Sequence, residues 1–253
     1  MVKRMVEIEK ALNEILQGEI TSVYNLANIF CSVSKAQLIN TLYTYAYEAG
    51  VNESALNAGE FLESQGKLNA AREWYGVAFR DGDVRAAVLI AQLCEDRGDL
   101  REALVWYRKA REIPSVSAGY ARVARALGFV DEAEALLWHH KDTEPEAAVE
   151  LVLTSASLAR EDAITLLRDH WARGHDGVGV TLGNMLCERG DVDEALRVYR
   201  VAAENGDAYA AYNLGIELIN NNNDKEGYQW ILRAQEMGDK KAKRWLKKKK
   251  RLS

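Results

Sequence analysis

The feature that most constrains this chain is a repeat of about 32 residues in which small side chains return at fixed positions. One reference position recurs at steps of 32, 32, 30, 30, 32 and 32 residues and defines repeats 1 to 7: Ala27, Gly59, Ala91, Ala121, Leu151, Gly183 and Gly215. Twelve residues later stands a second, mostly small set: Ile39, Ala71, Ala103, Ala133, Ala163, Ala195 and Gly227. Small residues let two helices approach closely. The pattern therefore predicts one antiparallel helix pair in each repeat.

Large residues and helix stops share this period. Sixteen residues after the reference position we expect side chains that fill the space between neighbouring repeats: Tyr43, Tyr75, Tyr107, Leu137, Leu167, Tyr199 and Ile231. Three residues further on, the set is mostly small again: Ala46, Ala78, Ala110, His140, His170, Ala202 and Ala234. Gly and Asn tolerate the left-handed conformation that ends a helix. They predict helix ends at Gly66, Gly98, Gly128, Gly190 and Asn222 within repeats, and at Gly50, Gly82, Gly174, Gly206 and Gly238 between repeats.

The resulting pattern resembles the tetratricopeptide repeat: a small residue, Ala twelve residues later, Tyr four residues after that and Ala three residues further on. The segments EALVWY (102–107) and GDAYAAYNLG (206–215) resemble more specifically the Sel1-like branch of that superfamily. The resemblance covers about residues 20–246, with a period shorter than the 34 residues of the tetratricopeptide repeat. It implies an all-α, right-handed α-solenoid of about seven antiparallel helix pairs, which binds proteins or peptides without catalysis.

The two ends of the chain predict caps, because an uncovered end repeat exposes an apolar face. Met5, Ile8, Leu12 and Ile15 form one stripe of a helix, so residues 1–19 are expected to be an N-terminal capping helix. Residues 20–239 then form the repeat array, and residues 240–253 a C-terminal capping helix and basic tail. Within the array, residues 115–174 are the least regular, which predicts a hinge or a local change of curvature.

Charge is distributed unevenly along the chain. The net charge is −5, which gives no sign of a nucleic-acid-binding protein as a whole. Nine of the 33 Lys and Arg lie between residues 240 and 251, without an acid among them. A solvated end is the simpler interpretation of the cluster Lys247, Lys248, Lys249, Lys250 and Arg251. The alternative is a contact with nucleic acid or an anionic surface through this tail alone.

Three cysteines without paired spacing favour a reducing compartment. The N-terminal residues lack the apolar run of a signal peptide. No apolar stretch approaches the roughly 20 residues that a membrane span needs. The sequence therefore predicts a cytoplasmic protein without a membrane span, and leaves its oligomeric state open.

The residues that could carry chemistry form weak patterns. His140 and His170 occupy equivalent positions in adjacent repeats, and Asp142 or Asp169 would have to complete a metal site. No pair of ligands at i and i+4 supports such a site, so we interpret these histidines as packing residues. The segment GHDGVG (174–179) is interpreted as a turn, because no strand precedes it. We predict no catalytic residue, no metal and no cofactor.

In this repeat class the first helix of each pair lines the concave face. The positions six and three before and one and four after the reference residue are expected there. Candidate partner-binding residues among them are Asn28, Glu60, Gln92, Arg122, Arg125, Asn184, Tyr209, Tyr212 and Ile216.

These residue types fit an extended peptide. The arginines would bind an acidic group, Tyr212 and Ile216 an apolar one, and Asn28 and Asn184 the peptide backbone. The alternative is that these rows only contact solvent and neighbours. The sequence thus favours a non-catalytic protein–protein interaction scaffold.

Overall fold

The structure is a computed structural model that describes residues 10–11, 13–15, 17–19, 21–30 and 36–249. Within this part of the chain it contains α-helices and two short 3-10 turns, and no strand. The helices are α1 Thr21–Phe30, α2 Ala36–Glu48, α3 Glu53–Ser64, α4 Leu68–Arg80, α5 Arg85–Asp96, α6 Leu100–Lys109, α7 Ser117–Ala126, α8 Val130–His140, α9 Pro145–Thr154, α10 Arg160–Ala172, α11 Gly179–Arg189, α12 Val192–Glu204, α13 Ala208–Asn220, α14 Asp224–Glu236 and α15 Lys240–Lys249. The predicted all-α class is confirmed.

The chain divides into two compact units, residues 1–129 and residues 130–253. The described part of the first unit contains the pairs α1/α2, α3/α4 and α5/α6, followed by α7 packed on α6. In the second unit α8 packs on α9, the pairs α9/α10, α11/α12 and α13/α14 follow, and α15 packs on α14. Short turns join the two helices of each pair, as the repeat pattern predicts. No helix in the described ranges has the length and apolar character needed to cross a bilayer.

The core lies along the four repeat positions identified in the sequence. All of their residues are buried, including the large ones sixteen residues after the reference, such as Tyr75, Tyr107 and Leu167. His140 and His170, which replace Ala at the last of the four positions, are buried as well. The predicted core is therefore confirmed in every repeat.

The small reference residue is required by the tyrosine of its own repeat. A Cβ added at Gly59 would lie 2.4 Å from Tyr75 Cε1, and one added at Gly183 would lie 2.3 Å from Tyr199 Cε1. The tyrosine also reaches the following repeat, because a Cβ at Gly119 would lie 2.8 Å from the Tyr107 hydroxyl. The tyrosine therefore fills the space between repeats, as predicted, and packs on the glycine of its own helix pair.

The predicted helix ends are confirmed. All ten of these Gly and Asn residues have positive φ, and so does Gly18 at the end of the N-terminal segment. At two of the turns in which Asp follows the glycine, the aspartate side chain caps the next helix. Asp207 accepts hydrogen bonds from the backbone N–H groups of Tyr209 and Ala210 at 2.8 and 2.9 Å, and Asp239 accepts one from Ala242 at 2.6 Å.

The irregular stretch of the sequence has distinct local structure. Pro145 begins α9, and after Thr154 the backbone becomes extended at Ser155. Ser155 and Ser157 donate hydrogen bonds to Glu134 Oε1 at 2.5 and 2.8 Å. The boundary between the two compact units, after residue 129, also falls in this stretch. The hinge stays a prediction.

The predicted ends of the array are described in part. Met5, Ile8 and Leu12 of the expected N-terminal cap lie outside the described residues. Ala11 is buried, and Glu14 accepts a hydrogen bond at 2.6 Å from Ser22 of α1. Helix α15 begins at residue 240, where the C-terminal cap was expected. The proposed division of the chain at residues 19/20 and 239/240 stays a prediction.

Two glycines of α3 and α4 give a matched test of this packing. We expect Gly59→Ala to lower the free energy of unfolding by about 1–3 kcal/mol, because its Cβ overlaps a fully buried ring. Gly76→Ala should be neutral or stabilising by up to about 1 kcal/mol, because its nearest neighbour is Arg80 Nη1 at 3.6 Å. Urea unfolding followed by circular dichroism measures both. A Gly59→Ala midpoint at or above that of Gly76→Ala would contradict the packing described.

Candidate partner-binding surfaces

The predicted partner-binding residues lie on the first helices of their repeats, a surface called here the first-helix face. Each unit has its own part of this face: α1, α3, α5 and α7 in the first unit, and α9, α11 and α13 in the second. Six of the nine residues are exposed and three are half-buried: Asn28, Glu60, Gln92, Arg122, Asn184 and Tyr209 in the first group, Arg125, Tyr212 and Ile216 in the second. The prediction that the position three residues before the reference lies on the surface was wrong in repeats 2 and 5, because Leu56 and Ala148 are buried there.

In the first unit, Asn28 belongs to a network of amides and tyrosines. Its Oδ1 accepts a hydrogen bond from the Tyr43 hydroxyl at 2.5 Å and another from Asn57 Nδ2 at 3.2 Å. Asn57 Nδ2 also donates to the Tyr24 hydroxyl at 2.8 Å. The carboxamide oxygen of Asn28 is therefore occupied, and its orientation is set by the core tyrosine of its own repeat.

The same arrangement recurs in the second unit at equivalent repeat positions. Asn184 Oδ1 accepts hydrogen bonds from the Tyr199 hydroxyl at 2.6 Å and from Asn213 Nδ2 at 3.0 Å. Asn57 and Asn213, two residues before the next reference position, were missed by the sequence analysis. One sequence feature could have identified them. Repeats 1 and 6 each combine an Asn and a Tyr with a second Asn in the first helix of the following repeat.

Repeats 2 and 3 satisfy the same tyrosine hydroxyl differently. Tyr75 donates to Glu63 Oε2 at 2.5 Å, and Tyr107 donates to Glu95 Oε2 at 2.9 Å. Burial first, and then these carboxylates, raise the pKa of Tyr75 and of Tyr107 well above the ordinary value of a phenol. Burial likewise raises the pKa of Tyr199. Since glutamate four residues after the reference serves the hydroxyl equally well, the fold does not require asparagine one residue after it.

Arg122 already has a carboxylate partner within the first unit. Its Nε lies 2.6 Å from Oε1 of Glu95, so Glu95 bridges Tyr107 of repeat 3 and Arg122 of repeat 4. The Arg122 side chain is 58% exposed. Ion pairs at such exposed sites contribute about 0–1 kcal/mol. A carboxylate of a ligand can therefore compete for this arginine at small cost.

In α13 an apolar row borders the amides of the second unit. Tyr209, Tyr212 and Ile216 follow one another at spacings of three and four, so they share one side of the helix with Asn213. Tyr209 is 61% exposed, which is unusual for so large an aromatic side chain. Burial, and then the charge of Asp239, raise the pKa of Tyr212. This part of the face offers amide groups next to an aromatic surface.

The histidines form a packing cluster in the second unit. The two Nδ1 atoms of His170 and His175 lie 2.8 Å apart, and His170 Nε2 lies 2.6 Å from the Lys141 carbonyl oxygen. His170 therefore donates from Nε2 and accepts at Nδ1. In the described part of the chain, no group of three or more His, Cys, Asp and Glu residues is arranged to hold a metal ion.

The cysteines that the structure describes are not activated. Cys94 is buried and Cys187 is half-buried. Burial raises the pKa of each thiol, so both are protonated at neutral pH. Cys31 lies outside the described residues.

The C-terminal helix α15 presents a basic surface. Ala242 and Leu246 are buried, and the seven Lys and Arg of the helix are exposed: Lys240, Lys241, Lys243, Arg244, Lys247, Lys248 and Lys249. Lys249 Nζ lies 5.6 Å from the centre of the Trp245 ring. Lys250 and Arg251 lie outside the described residues.

Comparisons with known proteins place the fold. No protein-family model and no curated protein matches the sequence. Among solved structures, the chain is similar to c5321, a protective antigen of uropathogenic Escherichia coli with an SLR fold, with a TM-score of 0.61 and 21% identity over 93% of this chain and 57% of that one. It is similar to a chain of the APC/C hetero-tetramer Cut9–Hcn1, with a TM-score of 0.63 and 11% identity over 91% of this chain and 51% of the other.

A third similar structure matches along its whole length. It is a tetratricopeptide repeat protein of Parabacteroides merdae, with a TM-score of 0.56 and 14% identity over 98% of both chains. This chain spans little more than half of the first two structures. Together with the confirmed repeat positions, these likenesses identify the class: an all-α helical-repeat protein. More specifically, the chain has the fold of the tetratricopeptide and Sel1-like repeat superfamily.

The histidine cluster predicts a pH-dependent stability. Burial lowers the pKa of His170 below its ordinary 6.5, Arg173 and His175 oppose its charge, and the Lys141 carbonyl and Asp142 favour it. Below pH 6.5 the unfolded chain takes up this proton before the folded chain does. The free energy of unfolding should therefore fall as the pH decreases from about 6.5.

Urea unfolding at pH 7.5 and at successively lower pH measures this dependence. His170→Gln should flatten it, whereas His139→Gln, at an exposed site of α8, should leave it unchanged. Equal pH dependence in both variants would show that His170 is not its source.

Proposed function

We propose that this protein is a cytoplasmic, non-catalytic scaffold that binds an extended segment of a partner protein along its first-helix face. The observation that carries this proposal is the Asn–Asn–Tyr arrangement at Asn28 and Asn184. In each, the carboxamide oxygen is occupied by a tyrosine hydroxyl and a second amide. The two Nδ2 hydrogens then remain as donors for the carbonyl groups of a peptide.

The residues around each asparagine suggest what its own unit binds. In the second unit, Tyr209, Tyr212 and Ile216 provide an aromatic surface for an apolar side chain next to the Asn184 donors. In the first unit, Arg122 and Arg125 provide charge for an acidic group, while Glu60 and Gln92 provide acceptors for backbone N–H groups. Aromatic residues and arginines are the types that dominate binding energy at interfaces.

Two further observations support a scaffold rather than an enzyme. The described thiols are protonated, and both ring nitrogens of the buried His170 already have hydrogen-bond partners. A chain of the same fold belongs to the hetero-tetramer Cut9–Hcn1. A fold of this type is thus compatible with holding another protein chain.

Asn184→Asp tests the proposed donor. The change keeps an oxygen for Tyr199 and Asn213 but removes the N–H donors, so the fold should be unaffected. We expect the affinity for the partner segment to fall about tenfold, equivalent to about 1.4 kcal/mol. Affinity purification from the native host would identify the partner, and calorimetric titration of its binding segment would measure the affinity.

Asn69→Asp, at an exposed site of the second helix α4, is the matched control, because it introduces the same charge away from the first-helix face and keeps the oxygen that accepts from Arg97. Arg122→Glu and Tyr212→Ala examine the other two contacts. If both leave the affinity unchanged, the first-helix face is not the binding surface.

A second candidate function rests on the exposed cations of α15. Because Ala242 and Leu246 fix one side of this helix, its seven cations form a surface that is held in place. Such a surface would bind nucleic acid or an anionic surface mainly through phosphate charge. The acidic remainder of the chain, with 24 Lys and Arg against 38 Asp and Glu, would limit this contact to the C-terminal end.

Charge reversal separates the two functions. The triple variant Lys247→Glu, Lys248→Glu and Lys249→Glu should lose affinity for a single-stranded DNA oligonucleotide. The slope of log affinity against log salt should then decrease by about two. Fluorescence anisotropy across a salt series measures this slope. Partner binding by the first-helix face should persist in the triple variant and after deletion of residues 247–253. An unchanged DNA affinity would remove the second candidate.

A further inference from the structure

The surface built by the second helices of repeats 2 and 3 carries an open groove. Its volume is about 800 Å³, and it lies between α4 and α6. Val77 and the buried Ile90 contribute to its base, and Phe79 and Trp106 form an aromatic wall with ring centres 5.4 Å apart. We call it the α4–α6 groove. It lies on different helices from the first-helix face.

Gly76 lines this groove, and helix packing does not require a glycine at this position. Glycine is a poor helix residue, yet Gly76 lies inside α4. A Cβ added there would meet only Arg80 Nη1, at 3.6 Å. For the other glycines within α-helices an added Cβ would come within 2.3–2.8 Å of a neighbour: Gly59, Gly119, Gly179, Gly183, Gly215 and Gly227. Gly76 alone among them has room for a side chain.

Comparison of the repeats shows what the glycine removes. The residues at its position, seventeen after the reference, are Thr44, Gly76, Arg108, Trp138, Arg168, Arg200 and Leu232. In the second unit, this arginine crosses to a glutamate of the following repeat. Arg168 pairs with Glu194 at 2.5 Å, and Arg200 pairs with Glu226 at 2.7 Å.

In the first unit the equivalent glutamate is Glu102. It pairs instead with Arg72, one helical turn before Gly76. Repeats 2 and 3 are thus still joined by an ion pair, and the space that an arginine at position 76 would cover is left open.

The rim of the groove has a surplus of positive charge. Lys109 Nζ lies 3.7 Å from the Trp106 ring centre and 5.2 Å from that of Phe79, which holds the cation over the aromatic wall. Neither Arg80 nor Lys109 has a carboxylate partner in the described ranges, and Glu73 is the acid that lines the groove. Arg80 and Lys109 are available to bind a carboxylate, and the aromatic wall beside them can contact an apolar side chain. The groove is therefore complementary to a ligand in which an apolar side chain neighbours a carboxylate.

We propose that the α4–α6 groove docks a segment of a partner protein that presents an apolar side chain flanked by carboxylates. The apolar side chain lies against Phe79 and Trp106, and the carboxylates bind Arg80 and Lys109. The missing side chain at Gly76 lets the backbone of the segment approach α4. The open form of the groove suits a chain segment better than an enclosed small molecule.

A synthetic dodecapeptide of Leu, Asp and Ser, labelled with fluorescein, is the probe, and the same peptide with Asn in place of Asp is its neutral counterpart. Anisotropy titration with the full chain at about 50 mM salt limits screening. We expect the acidic peptide to bind at least tenfold more tightly than the neutral one. Gly76→Arg, which restores the residue found in repeats 5 and 6, and Lys109→Ala should each weaken it at least tenfold.

The controls separate loss of the groove from loss of the fold. Thr44→Arg adds the same charge at the equivalent position of repeat 1 and should leave binding unchanged. Gly76→Arg should unfold at the same temperature as the parent protein or about 2 °C higher, because arginine is the better helix residue.

Asn184→Asp should have no effect on this peptide, so the proposed function and this site can fail independently. Equal affinity for the two peptides, binding by Gly76→Arg equal to that of Thr44→Arg, or no binding of the acidic peptide up to about 1 mM would each overturn the proposal.

Discussion

In the repeats that carry it, the contact between a buried tyrosine and the small reference residue of the same repeat is the interaction on which the packing of the helix pair depends. Tyr75 lies where a Cβ of Gly59 would be, and Tyr199 occupies the same place against Gly183. The ring both sets the spacing of the two helices and reaches the next repeat. Its hydroxyl cannot be left without a partner in a buried site. Each such tyrosine therefore also fixes one polar residue on the first-helix face.

This coupling explains how a structural repeat produces a functional surface. Where Glu63 or Glu95 accepts the hydrogen bond of the hydroxyl, the residue one after the reference does not have to accept it. That residue is then Glu60 or Gln92. Where it is satisfied by Asn28 or Asn184, the amide is held with its oxygen directed inward. Candidate binding groups are thus oriented by the core, with no need for loops to position them. Rigid support of this kind reduces the entropy lost on binding.

The elements that could be predicted from the sequence are those set within one repeat. The core positions recur in all seven repeats and each kind of helix end recurs five times, so a residue such as Asn222 could be identified as a helix end without a neighbouring glycine. The exposed faces were predicted less well. Leu56 stands at a position that was expected on the surface, but it is buried.

The repeat period could not predict the contacts between repeats, since these depend on which residue of the next repeat lies opposite. The pairing of Arg122 with Glu95 is one example, and the pairing of Asn184 with Asn213 is another. Both join residues whose separation in the chain, 27 and 29, differs from the repeat length. The sequence indicated the residues at each end but not that they meet.

The most informative residues are those at which the repeat pattern and the local physics disagree. The repeat requires glycine at Gly59 and Gly183, where the tyrosine ring leaves no room, and such residues say nothing about ligands. At Gly76 the helix would be better served by almost any other side chain, and the equivalent positions carry Arg168 and Arg200. The ion pair between repeats 2 and 3 is formed by Arg72 with Glu102 instead, so position 76 carries no side chain. The same reasoning applies to Asn28 and Asn184, because in repeats 2 and 3 a glutamate three positions further along the helix accepts from the tyrosine hydroxyl instead. In a protein built from copies of one unit, the exceptions to the unit indicate the surfaces through which it acts.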